Sequence, residues 1–91
     1  MATSANDFSL LQTIDLPGEQ GGHGDIVAAD SDTGTVWIAN SPNDSVNVID
    51  TSSNTVVATV PNVGAANGIA FSPDYAFVAD PTNNTTHVID K

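Results

Sequence analysis

Cysteine is absent from the 91 residues, which removes disulfides and thiolate metal sites as sources of stability. Positive charge is nearly absent as well. Lys91 is the single basic residue against eleven acidic ones, and the formal net charge is −10. A nucleic-acid surface needs clustered Lys and Arg to displace counterions, so nucleic acid is excluded as a partner, and an anionic membrane surface with it. Aromatic residues make up 5%, so any core must be built from Val, Ile and Ala. No apolar run approaches the roughly 20 residues of a membrane-spanning helix. The basic-then-apolar pattern of a signal peptide is also missing, and residues 1–7 read as a polar leader.

What the chain does have is 40% hydrophobic residues, enough to fold, at a length where a single core is thin and help from a partner is common. Ten of the eleven acids are Asp, many of them beside Ser, Asn or Gly, which is turn chemistry. Their unanswered charge favours an extracellular, cell-surface or high-salt setting, where screening limits self-repulsion.

The strongest signal is internal repetition. Val48-Ile49-Asp50 recurs forty residues later as Val88-Ile89-Asp90, and most of the chain between them repeats too. A period in the low forties, rich in Val, Thr, Asn and Gly, marks the four-stranded blade of a β-propeller. Short β-branched segments at 9–14, 25–29, 35–39, 45–49, 55–60, 68–71, 75–79 and 86–89 alternate with turn signals such as Asp32-Thr33-Gly34 and Ser72-Pro73-Asp74. No segment carries a sustained helical period. The expected fold is therefore all-β.

Counted from the axis outward, residues 24–61 give a complete blade and residues 67–91 the first three strands of another. Segment Leu10-Leu11-Gln12-Thr13-Ile14 matches Val56-Val57-Ala58-Thr59-Val60, so residues 8–16 read as an outermost strand without a blade of its own. The arrangement is one, then four, then three strands, two blades' worth per chain. Ala28, Ala29 and Ala70 suit inner strands, where space tapers. Val36-Trp37-Ile38-Ala39 and Ala76-Phe77-Val78-Ala79 are apolar on both faces, as in a strand sandwiched between sheets.

Trp37-Ile38-Ala39-Asn40 and Phe77-Val78-Ala79-Asp80 stand where the YVTN-type β-propeller repeat has its namesake tetrapeptide. The runs 43–51, 54–60 and 68–74 resemble the rest of that repeat, so residues 8–91 as a whole resemble this family. The turn after Asp74 departs from the pattern by lacking its usual Gly. The resemblance implies a full ring of blades. The activities it implies are varied: surface and surface-layer proteins, lactonase-like enzymes, and propellers attached to redox domains. Fold membership alone says little about which applies.

Among candidate site residues, Gly21-Gly22-His23-Gly24-Asp25 comes first, because it leads from an outer strand into the next inner strand, at the mouth of a propeller channel. Copies of His23 and Asp25 converging on an axis form a weak metal site of the Zn, Ni or Cu type. The bland alternative is a linker with one solvent-exposed histidine, and the sequence favours it, since the second copy, 63–67, lacks both groups. Asn40, Asn67 and Asp80 complete a weak polar ligand surface on the same face. No cofactor is called for.

Asp30-Ser31-Asp32-Thr33-Gly34 imitates a calcium loop, but Ser41 stands where its Glu is needed. It reads as a hairpin turn. Trp37 reads as core, and His87, without an acidic neighbour at ligand spacing in the sequence, as surface. No Gly-x-Ser-x-Gly elbow or phosphate-binding glycine motif is present, so no catalytic residue is named.

Two blades cannot close a ring. Identical chains are therefore expected to associate head to tail, with Phe8, Leu10, Leu11 and Ile14 of one closing against Thr86, Val88 and Ile89 of the next. Only even rings are then reachable, a trimer of six blades being favoured and a tetramer next. The expected function is noncatalytic binding or scaffolding, with a small polar ligand or a metal at the axial face. The alternatives are a lactonase-like metal-dependent hydrolase and an inactive fragment of a longer surface or secreted propeller.

Overall fold

A computed structural model describes residues 8–91. Among these residues the protein is all-β, with seven strands in two antiparallel sheets. The first sheet has the order β1 (Val27–Asp30), β2 (Thr35–Asn40), β3 (Ser45–Asp50), β4 (Thr55–Val60). The second has β5 (Ile69–Phe71), β6 (Tyr75–Asp80), β7 (Thr85–Asp90). Every neighbour in a sheet is also a neighbour in sequence, which the short turns dictate.

The turns work by letting Asp, Asn and Gly take the left-handed backbone. Gly34 (φ 67°) closes β1–β2, Asp44 (φ 48°) β2–β3, Asn54 (φ 56°) β3–β4 and Asn84 (φ 54°) β6–β7. Asp30 behaves as the hairpin residue expected of it, accepting from Thr33 Oγ1 at 2.6 Å while Gly34 N–H donates to its carbonyl at 3.0 Å.

The core lies between the sheets. Trp37, Ala39, Val46 and Val48 of β2 and β3 meet Ala76 and Val78 of β6, with Val63 and Ala66 of the inter-sheet connection closing one end. Trp37 meets Phe71 edge-on, ring centroids 5.5 Å apart, a favourable aromatic geometry. Trp37 is core, as its apolar strand implied. Its repeat equivalent Phe77 is 36% exposed, because it lies on the face of the second sheet that turns away from the first.

Segment 9–14 departs from expectation. Within the single chain it forms no strand, and Phe8, Leu10 and Leu11 are 101%, 84% and 93% exposed. Gln12 Nε2 of this segment donates to the Asn54 carbonyl at 3.2 Å, and Ile14 is half-buried. A β-strand needs a ladder partner for its N–H and C=O groups, and among the described residues no ladder takes these up.

Candidate functional site

The two sheets repeat each other, so each position in the second can be read against its counterpart in the first. In the first sheet, β3 is covered by β4 in the register Val46↔Val60, Asn47↔Thr59, Val48↔Ala58, then, after a bulge, Ile49↔Val56. In the second, among the described residues, β7 pairs with β6 alone and its other edge is open. A bare edge is a row of unpaired backbone donors and acceptors, ready to pair with another strand.

A polar network runs to that edge. In the first sheet Asn40 Nδ2 donates to Asn47 Oδ1 (2.9 Å), Asn43 Nδ2 donates to Asn40 Oδ1 (3.0 Å), and Asn47 Nδ2 donates to Thr59 Oγ1 (3.0 Å). Asn47 is fully buried, and each of its polar groups has a partner, as burial demands. In the second sheet Asp80, Asn83 and His87 replace Asn40, Asn43 and Asn47. Asn83 Nδ2 donates to Asp80 Oδ2 at 2.9 Å and His87 Nε2 stands 2.7 Å from the same oxygen. The Asp80 carboxyl is held well below the ordinary carboxylate range, first by the Asn83 amide, then by His87 and the backbone N–H of Gly64 and Asn83, against the opposing effect of burial.

His87 is therefore not the lone surface residue that its sequence neighbourhood suggests. Its acidic partner is seven residues away and across one hairpin, and the same spacing separates Asn40 from Asn47. That spacing is the signal that could have found it. The His87 side chain remains 37% exposed, on the side that β4 covers in the first sheet.

The remaining predicted site residues separate into two groups. Asn67 and Asp80 line one open hollow of about 320 Å³ with Thr86. Asn40 is buried in its own network, donating also to the Pro17 carbonyl at 3.0 Å. His23 and Asp25 lie exposed on the segment before β1, where Asp25 N–H donates to the Ala39 carbonyl at 2.9 Å. Among the described residues, no three His, Cys, Asp or Glu side chains cluster as a metal site would require. Of the closure residues, Ile89 is half-buried and Thr86 and Val88 exposed, Val88 at 59%.

Both connections into a sheet dock on a β-hairpin turn. Gln20 N–H donates to Asn43 Oδ1 at 3.0 Å and Asn43 Nδ2 donates back to the Gln20 carbonyl at 2.9 Å. The equivalent connection, 61–66, is held by Val63 N–H on the Asp44 carbonyl and Ala65 N–H on Asp44 Oδ1, both at 2.9 Å. Loops 18–24 and 40–44 thus share a face. No family model matches the chain, and no curated protein or solved structure does either.

Proposed function

We propose that the protein is a noncatalytic scaffold or binding protein that assembles head to tail into a β-propeller. Each copy supplies two blades and lends residues 9–14 to its neighbour as the missing outer strand. The observation that carries this reading is a complementary pair of defects. Among the described residues, the second sheet lacks the strand that β4 supplies to the first, while residues 9–14, the sequence counterpart of β4, have no ladder.

Apolar exposure supports the same reading. Phe8, Leu10 and Leu11 stand in solvent together with Phe77 and Val88 of the second sheet and Val27 of the first. Removing a Leu or Phe from water is worth about 1.5–3 kcal/mol, and several are needed to offset the roughly 4–15 kcal/mol lost on association. The face carrying Phe77 is the repeat equivalent of the Trp37 face, which in this chain packs on the second sheet. A copy of the first sheet's outer face is therefore the natural cover for it. That contact is heterologous and closes only as a ring. A trimer gives six blades. Loops 18–24 and 40–44 would build its polar face, where a small polar ligand has the exposed Asn67 within reach, while Asp80 is fully buried.

Light scattering or native mass spectrometry decides the matter. The expected result is one species at three chain masses, or four. A folded species at one chain mass at micromolar concentration would sink the reading.

A further inference from the structure

Resting on that assembly, we infer that residues 9–14 of a second copy add to β7 in one register, and that the Thr13 hydroxyl there completes the His87–Asp80–Asn83 network. Transferring the β3–β4 register onto β7 sets Ile14 opposite Thr86, Thr13 opposite His87 and Gln12 opposite Val88. After a bulge at Leu11 it sets Leu10 opposite Ile89.

Three observations converge on this register. The first is hydrogen bonding. Asn47 uses one polar group on Asn40 and the other on Thr59 across the β3–β4 ladder. His87 uses Nε2 on Asp80, and a carboxylate can only accept, so Nε2 carries a proton and Nδ1 is left for a further partner, which a hydroxyl can serve as donor or acceptor. Thr13 is the sequence counterpart of Thr59. In the transferred register its hydroxyl faces Nδ1 as Thr59 faces Asn47.

The second is shape. A cleft of about 230 Å³ opens between the sheets at the free edge of β7, and its walls include Trp37, Val48, Ala58, Val60 and Ile89. Strand faces alternate, and the bulge puts Leu10 on the same face as Ile89, toward this cleft. An apolar slot at the strand's edge thus meets an apolar side chain that is 84% exposed in the single chain. A slip of one residue would turn Leu10 to the opposite face and bring Ser9 or Leu11 beside Ile89.

The third is the tether. The backbone carbonyl of Pro17 and the backbone of Gln20 are fastened to Asn40 and Asn43, and Gly18 sits so close that an added Cβ would collide with the Asn43 side chain. Its counterpart Gly64 is equally tight, with 2.6 Å to Thr82 Cβ. Residues 15–20 therefore run into the first sheet as their counterparts 61–66 run into the second. The preceding residues are aimed where a neighbour's outer strand belongs.

The absence of native cysteine makes the register directly readable. Facing residues of an antiparallel pair lie within disulfide reach, at about 4.5–5.5 Å between Cα atoms. The double variant Gln12→Cys/Val88→Cys should give covalent multimers on mild oxidation in a denaturing gel. Thr13→Cys/Val88→Cys, whose side chains point to opposite faces, should stay at one chain mass. In separate single variants, Thr13→Val should weaken association roughly tenfold by leaving Nδ1 without its hydroxyl partner, and Thr13→Ser should keep it. Multimers of normal mass that cross-link equally in both pairs, or in neither, would overturn the register while leaving the assembly standing. A monomer at every concentration would overturn both.

Discussion

Lys91 Nζ lies 3.0 Å from Asp30 Oδ2, with the two side chains 3% and 4% exposed. The chain's single Lys or Arg is thus buried between the sheets. It also donates to the Ser72 carbonyl at 2.9 Å and stands 5.5 Å from the Phe71 ring centroid. The end of β1 and the β5–β6 turn are joined through this residue.

A buried charge without its partner is costly, whereas an apolar replacement of both is often tolerated. Lys91→Met and Asp30→Asn should each lower the urea midpoint. The double variant should lose less than the two single losses added together. Strict additivity in chemical denaturation would remove this pair from the inter-sheet contact.

Core truncation should separate sharply from edge truncation. Val46 and Val78 are fully buried, whereas Val57 is 57% exposed. Val46→Ala or Val78→Ala should cost about 2 kcal/mol, against roughly 0.5 kcal/mol or less for Val57→Ala. Urea titrations of the three variants at one protein concentration provide the comparison.

Gly64 should not accept a methyl group. A Cβ there would meet Thr82 Cβ at 2.6 Å and Asp80 Oδ1 at 2.7 Å, while at Gly68 it would meet nothing within 4 Å. Gly64→Ala should cost about 1–3 kcal/mol as overpacking does, and Gly68→Ala should fall well short of that. Equal thermal midpoints for the two variants would contradict the packing of the inter-sheet connection.

Acid should destabilise the protein through its hydrogen-bonded carboxyls. Asp80 is depressed first by Asn83, Asp30 first by Thr33, and Asp50 first by the Ser52 backbone N–H. A carboxyl whose folded pKa lies below its unfolded value stabilises the fold at pH above the unfolded value. That stabilisation is lost as pH falls through the folded one. Stability should therefore decline below about pH 4, and Asp80→Asn should flatten part of the decline. Denaturation midpoints between pH 2 and pH 7 read this directly.

If copies assemble as proposed, high salt should favour the assembly. With a net charge of −10, copies repel one another, and going from about 0.1 M to 1 M salt shortens the screening length from about 10 Å to about 3 Å. The dissociation midpoint on dilution should move to lower protein concentration. Leu10→Asp should shift it the other way at every salt concentration, since that side chain is exposed in the single chain and its loss leaves the monomer intact. Sedimentation at two salt concentrations tests both.

Strands β1 to β7 follow from the residues themselves. Val, Ile and Thr alternate with polar positions, and Asn54, Asn84 and Gly34 supply the left-handed turns, so each hairpin is specified within a dozen residues. The fourfold order of the first sheet and the threefold order of the second were legible for the same reason. Weak polar candidates were only partly legible. Asn67 and Asp80 do share a hollow, but Asn40 spends its hydrogen bonds inside the fold, and His23 and Asp25 remain on an exposed segment.

Tertiary structure alone decided which charges find partners and which apolar face is covered. His87 reaches Asp80 because one hairpin folds seven residues back on themselves, and Lys91 reaches Asp30 because two sheets pack. Trp37 is buried and Phe77 is not, although their strands are near copies, because a sheet face is covered only where another sheet stands against it. Hydrogen-bonded turns are short-range and written residue by residue. Burial is a property of neighbours distant in the chain.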